Sequence, residues 1–297
     1  MPQLDWGGVA PFVVLTLTAL GILVFDLLLA PRHKVQLTYL GLMGVLVTLA
    51  LLVSGFGDGE RVVGDMLILD DFSRFFHVVF LLITAFVLLV SVKDMEEEKI
   101  HQGEYYALIL FATLGMMVMA SATDLIMLFL GLEALSIPLY ILSGFLRRHL
   151  SSNESALKYL LLGAFASAFL LYGIAFLYGS AGSTRLARIA AHLSHATAWE
   201  NPLVFLGVGL LLVGLAFKVA AVPFHMWLPD VYEGAPTSVT AFMIAGTKAA
   251  AFSGLLRAFG TALTPLPAEW VAPLWILALL TMGVGNVAAL TQQSIKR

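Results

Sequence analysis

The chain of 297 residues contains no cysteine. Disulfide bonds, thiolate chemistry and cysteine-ligated iron–sulfur clusters are therefore excluded within it. Charged residues are also scarce, at 12%, whereas 60% of the residues are hydrophobic. An ordinary soluble domain carries roughly 25% charged residues, because it must cover its surface with polar groups. The composition thus excludes an ordinary soluble fold and indicates a protein that exposes apolar surface to lipid.

Other features that identify common sites are missing as well. Asparagine occurs three times and glutamine five times, a scarcity in line with a thermophilic source. The net charge is −3 and the basic residues form no patch, so nothing indicates nucleic acid as a partner. We find no Walker loop, no complete G-x-G-x-x-G, no H-E-x-x-H and no paired-carboxylate metal motif. No cofactor and no metal are therefore predicted in this chain.

Long apolar runs are what the sequence has in abundance. Each is about 20 residues long, enough to cross a bilayer core of roughly 30 Å as a helix. Nine such spans are predicted, near 8–30, 36–54, 72–92, 105–121, 125–146, 155–179, 203–228, 237–260 and 270–293. The loops between them are short, so 1–297 is predicted to form one membrane domain of an all-α, polytopic helical membrane protein. The first span is too long for a signal-peptide core and lacks a basic leader, so we expect it to be retained.

The distribution of lysine and arginine among the loops predicts the orientation. One set of alternate loops carries eight basic residues, namely Arg32, Lys34, Lys93, Lys99, Arg147, Arg148, Lys296 and Arg297. The other set carries Arg61, Arg185 and Arg188, with Arg74 at an edge. Cytoplasmic loops are the richer in positive charge, which places the N-terminus outside. The longest loop, 180–202, contains an amphipathic stretch that is predicted to form a short helix on the outer surface.

Four ionisable residues fall inside predicted spans: Glu133, Lys158, Lys218 and Lys248. A charge near the bilayer centre costs roughly 2.5–3.5 kcal/mol on insertion scales, so such residues face the bundle interior and pair with each other or with water. When depth is counted from the ends of the spans at a helical rise of about 1.5 Å per residue, the four residues lie at overlapping depths on four helices. This pattern is typical of a hydrophilic path through the bundle. Arg257, by contrast, lies near the outer end of its span and fits an anchor at the interface.

Two of these charged residues have a proline close by in the chain. Pro223 follows Lys218 by five residues, lacks an N–H and clashes with the carbonyl of Val219, which frees that carbonyl as an acceptor. Interrupted helices recur at the ion sites of transporters, so the seventh helix is predicted to be discontinuous. Pro138 follows Glu133 by five residues in the same way. Pro138, Pro223 and His225, the histidine within the interruption, are candidates for shaping or gating the path.

Static roles account for the same charges. Lys158 is near enough to the inner end of its span to extend its ammonium group to the interface. Glu133 and Lys218 could form a fixed salt bridge that only holds helices together. If the distance between these two groups changes instead, the proton affinity of the lysine changes with it, and the pair can take up and release a proton. The residues by themselves leave both alternatives open.

Three segments carry a resemblance to a known family: "GLEALSIPLYIL" around Glu133, "ESALKYLLLGAFASAFLLYG" around Lys158 and "FKVAAVPFHMWLPDVYEGAPTSVTAFM" around Lys218. The sequence resembles the antiporter-like membrane subunits of proton-pumping NADH:quinone oxidoreductase, respiratory complex I, along essentially its whole length. The wording "DVYEGAP" and a lysine at position 248, where the sister subunits usually carry histidine, resemble the branch called subunit N.

The resemblance implies a role for each of the four charges. Glu133 is then the carboxylate of helix 5 and Lys218 its partner on the broken helix 7, while Lys248 relays protons on helix 8. Lys158 on helix 6 lies near the cytoplasmic end of the path.

The resemblance also implies how the chain is organised. Residues 1–104 form helices 1–3, residues 105–262 form helices 4–8 as one five-helix half-channel repeat, and residues 263–297 form helix 9 at the start of a second repeat. That second repeat is incomplete here, because the family pattern continues through helices 10–14, which the sequence does not include. Complete translocation is expected to need them.

The function implied is that of a proton-translocating membrane-arm subunit of a bacterial inner-membrane complex, without a redox centre of its own. FMN, iron–sulfur clusters and quinone are expected in other subunits, and the expected partners are the other membrane subunits, including the sister antiporter-like subunits, and the lipid bilayer. A subunit of a multisubunit cation/proton antiporter is the first alternative, since such subunits resemble these closely. A structural scaffold with frozen ion pairs is the second.

Overall fold

The structure, a computed structural model, describes residues 6–30, 33–57, 59–98, 102–264 and 270–297. Within these ranges, nine helical spans are long and apolar enough to cross a membrane. They are α1 (Trp6–Leu28), α2 (Gln36–Ser54), α3 (Asp71–Glu97), α4 (Glu104–Ser121), α5 (Leu125–Ser143), α6 (Leu150–Ala181), α8 (Pro202–Val219), a composite span (Thr237–Ala262) and α12 (Val271–Leu290). The prediction of a nine-span, all-α membrane protein is confirmed. Arg32 and Lys99, used to predict orientation, lie outside the described residues.

The composite span is not a uniform helix. It consists of α10 (Thr237–Phe242), a π-helical turn (Met243–Thr247), α11 (Lys248–Arg257) and a second π turn (Ala258–Ala262). Such turns are rare and are found frequently at functional sites. The first of them ends immediately before Lys248, so it fixes the direction in which this lysine leaves the helix.

Short elements lie at the end of the bundle where α3 and α5 begin. The strands β1 (Arg61–Val63) and β2 (Leu67–Leu69) form an antiparallel hairpin in which Arg61 lies opposite Leu69. The sequence patterns did not predict this hairpin, because a three-residue strand is too short to show a period. The predicted amphipathic helix of the long loop is present as α7 (Leu186–Leu193), and a 3₁₀ helix (Ala196–Glu200) follows it. The buried residues of α7 pack against the second π turn.

Two tightly packed helix pairs form the framework of the site. The helix α4 lies at the centre, with α5, α1 and α3 around it, and it is apolar on nearly every side, as expected of a helix enclosed by others. The second pair is α6 and α8, where a Cβ atom on Gly173 would lie 2.7 Å from the backbone nitrogen of Leu211. Small residues allow such close approach of backbones in membrane bundles. These pairs set the positions of Glu133, Lys158 and Lys218.

Candidate functional site: a buried lysine cluster at an interrupted helix

The helix α8 ends at Val219, four residues before Pro223. The next helix, α9 (Leu228–Gly234), begins nine residues later, and residues 220–227 between them are turns rather than helix. Ala220 adopts a left-handed conformation with φ of 60°, and the amide of Ala221 donates to the carbonyl of Ala216 over 2.8 Å. This geometry is that of a Schellman motif, with alanine where glycine is usual.

Ending a helix inside the bundle leaves backbone carbonyls without helical partners. Two side chains donate to carbonyls of the last turn here. The indole nitrogen of Trp227 donates over 3.2 Å to the carbonyl of Phe217, which also accepts from the amide of Ala220, and the ammonium group of Lys248 donates over 3.0 Å to the carbonyl of Val219. Lys248 therefore binds the carbonyl of Val219, which the position of Pro223 predicts to be a free acceptor.

Lys248 comes from the composite span and crosses to the interruption in α8. Its Nζ lies 5.2 Å from the centre of the Trp227 indole ring. A cation over the face of a tryptophan is stabilised by the ring quadrupole, so the carbonyl and the indole together provide a polar surrounding for an ammonium group in an apolar bundle. The first π turn places Lys248 for this contact.

Lys218 lies on the last turn of α8 and is buried. Its Nζ donates to Ser136 Oγ over 2.7 Å and to the hydroxyl of Tyr159 over 3.1 Å. Ser136 is on α5, and its hydroxyl group donates a hydrogen bond to the carbonyl of Leu132. The hydroxyl oxygen can therefore accept a hydrogen bond from the lysine. Both contacts of Lys218 are thus with neutral hydroxyl groups.

Glu133 is half-buried on α5, one turn before Ser136, and its carboxylate accepts a hydrogen bond from Ser167 on α6. Among the described residues, no hydrogen bond or ion pair joins Glu133 directly to Lys218. Ser136, Ser167 and Lys218 instead line one small cavity of about 10 Å³ for the centre of a water molecule. A cavity of about this size holds a single water molecule. A fixed, direct salt bridge is therefore not formed, and a water-bridged pair stays a prediction.

Lys158 lies about two turns after the start of α6 with its side chain 39% exposed, and it forms two ion pairs. Its Nζ is 2.5 Å from Asp230 on α9 and 2.5 Å from Glu154 on its own helix. Hydrogen bonds from Lys158 and Arg297 lower the pKa of Asp230, although its partial burial opposes this. Lys158 therefore ties the start of α6 to the helix that follows the interruption.

The two prolines and the histidine differ in their placement. Pro138 is buried within α5, which runs from Leu125 to Ser143. Pro223 is exposed in the interruption, where the Val222–Pro223 peptide bond is cis. His225 lies two residues further on, and its Nδ1 is buried without a hydrogen-bond partner among the described residues.

Several residues of the cluster were not singled out from the sequence. The rings of Tyr159 and Trp227 are stacked with centroids 4.7 Å apart and planes inclined by 6°, and Tyr140 meets Tyr159 edge-on at 4.7 Å. The Nζ of Lys218 lies 5.4 Å from the centre of the Tyr159 ring, and the Nζ of Lys248 lies 5.2 Å from the centre of the Trp227 ring. Tyr159 directly follows Lys158, and Trp227 lies within the segment around Lys218, so proximity in the chain was the available indication. Ser136 lies three residues after Glu133, and Ser167 lies within the segment around Lys158, so the same indication was available for both.

Comparison with known proteins assigns the chain to a family. Residues 122–297 match the family described as "NADH:quinone oxidoreductase/Mrp antiporter, TM". The chain is 46% identical over 289 residues to the NADH-quinone oxidoreductase subunit N of Trichlorobacter lovleyi, which covers 97% of this chain and 59% of that protein.

Solved structures are similar as well. A chain of respiratory complex I from Thermus thermophilus with bound aureothin matches with a TM-score of 0.79 and 38% identity, over 96% of this chain and 60% of that chain. A chain of the Mrp complex from Dietzia sp. matches with a TM-score of 0.75 and 25% identity, over 95% of this chain and 54% of that chain.

The chain spans about three fifths of the length of the subunit N relative that it matches. The family match covers more than half of this chain, and it includes the helices that carry all four of the intramembrane charges, Glu133, Lys158, Lys218 and Lys248. The chain belongs to the NADH:quinone oxidoreductase/Mrp antiporter transmembrane family.

Proposed function

We propose that this chain is the proton-translocating part of a membrane-arm subunit of NADH:quinone oxidoreductase. The observation that carries the proposal is the contact of Lys248 with the Val219 carbonyl, because it joins a partly buried, protonatable group to the interruption in α8. Polar backbone is tolerated at membrane depth where it lines a cavity or is enclosed by protein, and interrupted helices are used in this way at transporter ion sites. The similarity to subunit N and to a chain of respiratory complex I supports the same function.

In this proposal a proton reaches Lys218 and Lys248 from the end of the bundle at which Lys158 and Asp230 lie. Lys218 holds a proton between the hydroxyl groups of Ser136 and Tyr159, and a water molecule in the adjoining cavity links it to Ser167 and Glu133. Lys248 holds the next proton against the Val219 carbonyl. Two ammonium groups in a medium of low dielectric repel one another, so protonation of one favours release from the other.

The proposal extends to organisation and orientation. Residues 105–262 are the half-channel repeat, residues 263–297 begin a second repeat, and residues 1–104 are the three helices that precede them. The loops that carry more lysine and arginine are cytoplasmic, the N-terminus is outside, and the membrane is a bacterial inner membrane. Electron transfer through FMN, iron–sulfur clusters and quinone takes place in other subunits, and this chain takes part through its membrane contacts with them.

A subunit of a multisubunit cation/proton antiporter is the second candidate. The observation in its favour is the similarity to a chain of the Mrp complex, since the family includes both kinds of protein. Co-purification distinguishes the two candidates. If the protein is isolated from its host with NADH-oxidising, iron–sulfur subunits, the first is supported, and if it is isolated with antiporter subunits alone, the second is.

The proposed function is tested by replacing Lys248 with alanine in the gene of the host. Inverted membrane vesicles are then assayed for NADH oxidation and for proton uptake, and the ratio of protons to NADH is compared. We expect this ratio to fall by at least half in Lys248→Ala. The matched control is Lys93→Ala, because the side chain of Lys93 is 84% exposed at the end of α3. An unchanged ratio in Lys248→Ala would exclude a proton path through this lysine.

A further inference from the structure

One hydroxyl group lies midway along the apolar helix α12. No residue of this helix is buried, and its less exposed face carries one residue at every third or fourth position, namely Leu274, Leu277, Thr281, Gly285 and Ala288. This spacing is that of a single helix face, so Thr281 lies on the side that meets the rest of the bundle. The other polar side chain of α12, Asn286, is exposed and donates to the carbonyl of Met282 in its own helix.

The hydroxyl group of Thr281 forms two hydrogen bonds. It donates to the carbonyl of Leu277 over 2.6 Å, and it accepts from the backbone amide of Val222 over 3.0 Å. A threonine hydroxyl has a single hydrogen and two lone pairs, so with its hydrogen directed to Leu277 it presents only acceptor capacity to Val222. Since Val222 belongs to the turns between α8 and α9, this bond joins α12 to the interruption in α8.

The amide of Val222 depends on this acceptor. The helix α8 has already ended at Val219, and the two preceding amides, those of Ala220 and Ala221, donate back to carbonyls of α8. The amide of Val222 instead finds its acceptor on another helix, and the residue is only 7% exposed. A buried amide without an acceptor is costly, so the hydroxyl group of Thr281 fixes the position of Val222.

The segment that Thr281 holds also carries the carbonyl that Lys248 binds. Val222 follows Val219 by three residues, and the carbonyl of Val219 accepts from Lys248 over 3.0 Å. A displacement of Val222 therefore changes the distance between this carbonyl and the ammonium group. Lys218 directly precedes Val219, so the same displacement acts on the last turn of α8 that carries it.

We propose that Thr281 is a positioning residue for proton transfer: through the amide of Val222 it holds the interruption in α8, and it thereby keeps the carbonyl of Val219 within reach of Lys248. The inference rests on the proposed function. In the proposed organisation α12 opens the second repeat, so this hydrogen bond also ties the half-channel repeat to the one that follows it. A movement of α12 is then transmitted to the Lys248 contact.

The test replaces Thr281 with valine in the gene of the host. Valine has nearly the shape of threonine but no acceptor, so the apolar contacts of α12 should persist. In inverted vesicles we expect Thr281→Val to keep NADH oxidation within twofold and to lose at least half of the protons moved per NADH. Thr281→Ser retains the hydroxyl group and should keep the wild-type ratio, a rescue that a role in packing alone would not produce.

The matched control is Thr291→Val. Thr291 follows α12 directly and donates to the carbonyl of Ala288 in the manner of Thr281, but it is exposed. We expect this variant to pump normally. A wild-type ratio in Thr281→Val would overturn the proposal, and so would a loss in Thr281→Ser as large as that in Thr281→Val.

Amide exchange tests the contact in the wild-type complex, even if Thr281→Val fails to assemble. Met226 lies in the same interruption, and its amide has no acceptor among the described residues. Hydrogen–deuterium exchange is followed by mass spectrometry at single-residue resolution. We expect exchange at Val222 to be at least tenfold slower than at Met226, and equal rates would contradict the hydrogen bond to Thr281.

Lys248→Ala, assayed in parallel, separates this inference from the proposed function. Normal pumping in Lys248→Ala defeats the proposed function itself. Loss of pumping there, together with normal pumping in Thr281→Val, defeats the positioning role of Thr281 alone.

Discussion

Lys248 donates a hydrogen bond to the carbonyl oxygen of Val219, 3.0 Å away across the interface between the composite span and α8. Val219 is the last residue of its helix, and its carbonyl has lost its helical partner because the chain turns towards Pro223. The contact therefore joins an unpaired carbonyl at the end of one helix to a partly buried charge on another. Each compensates for the other, because an isolated carbonyl and an isolated ammonium group are both costly in an apolar bundle.

Replacing Lys248 with glutamine separates its hydrogen bond to the Val219 carbonyl from its capacity to carry a proton. Glutamine can donate to the Val219 carbonyl from its amide, but it cannot carry a proton through the bundle. We expect Lys248→Gln to assemble at the wild-type level and to lose at least half of the protons moved per NADH. Lys248→Met, which removes the donor as well, should in addition lower the melting temperature of the purified protein. Equal stability of the two variants would show that the hydrogen bond to Val219 contributes nothing.

Glu133→Gln tests whether the carboxylate acts through its charge. The glutamine oxygen can still accept from Ser167, so the contact between α5 and α6 should persist and assembly should stay within twofold of the wild type. The loss of charge next to the cavity that Lys218 lines should reduce the protons moved per NADH by at least half. Glu104→Gln, on the exposed first turn of α4, is the control. Normal pumping by Glu133→Gln would favour a purely structural carboxylate.

The ion pair of Asp70 and Arg257 should make stability depend on acid. Burial by itself would raise the pKa of Asp70, but hydrogen bonds from Arg257 and from the Ser73 amide outweigh it and lower the pKa from 3.8 to about 2. A carboxyl group whose pKa is lowered by folding stabilises the protein above its unfolded pKa, and this contribution disappears as the pH falls through the folded pKa. We expect about 2 kcal/mol of stability to be lost between pH 4 and pH 2.

Unfolding of the detergent-solubilised protein, followed across this pH range, checks the prediction, and Asp70→Asn should remove most of the dependence. At neutral pH, Arg257→Leu should be less stable than the double variant that combines Asp70→Asn with Arg257→Leu. Removing one partner leaves an uncompensated, mostly buried charge, which costs roughly 3–5 kcal/mol. A double variant that is less stable than Arg257→Leu would contradict this reasoning.

Ala220→Gly should stabilise the interruption in α8. Alanine at a φ of 60° costs roughly 1–2 kcal/mol relative to a right-handed conformation, and glycine does not incur this cost. Glycine loses about 0.5–1 kcal/mol through the greater freedom of the unfolded chain, so a net gain of about 0.5–1 kcal/mol is expected. Thermal unfolding in detergent measures it. The next residue, Ala221, does not have a positive φ, so Ala221→Gly should be destabilising. A gain of the same size in Ala221→Gly would refute the explanation.

The sequence by itself determined the membrane class and the spans, because the length and apolarity of a span are local properties of the chain. It also determined which residues are out of place in lipid. Glu133, Lys158, Lys218 and Lys248 stand out against apolar neighbours. The position of Pro223 was enough to identify the Val219 carbonyl as a free acceptor, since that clash depends only on residues four apart in one helix.

The choice of partners was decided by the tertiary structure alone. Lys218 binds the hydroxyl groups of Ser136 and Tyr159 rather than Glu133, and Lys248 is the group that takes up the Val219 carbonyl. Arg257, expected at the interface, pairs with Asp70, which is 187 residues away in the chain. Depth along a helix can be counted from the sequence, but the rotation and the neighbours of that helix depend on how distant surfaces pack together.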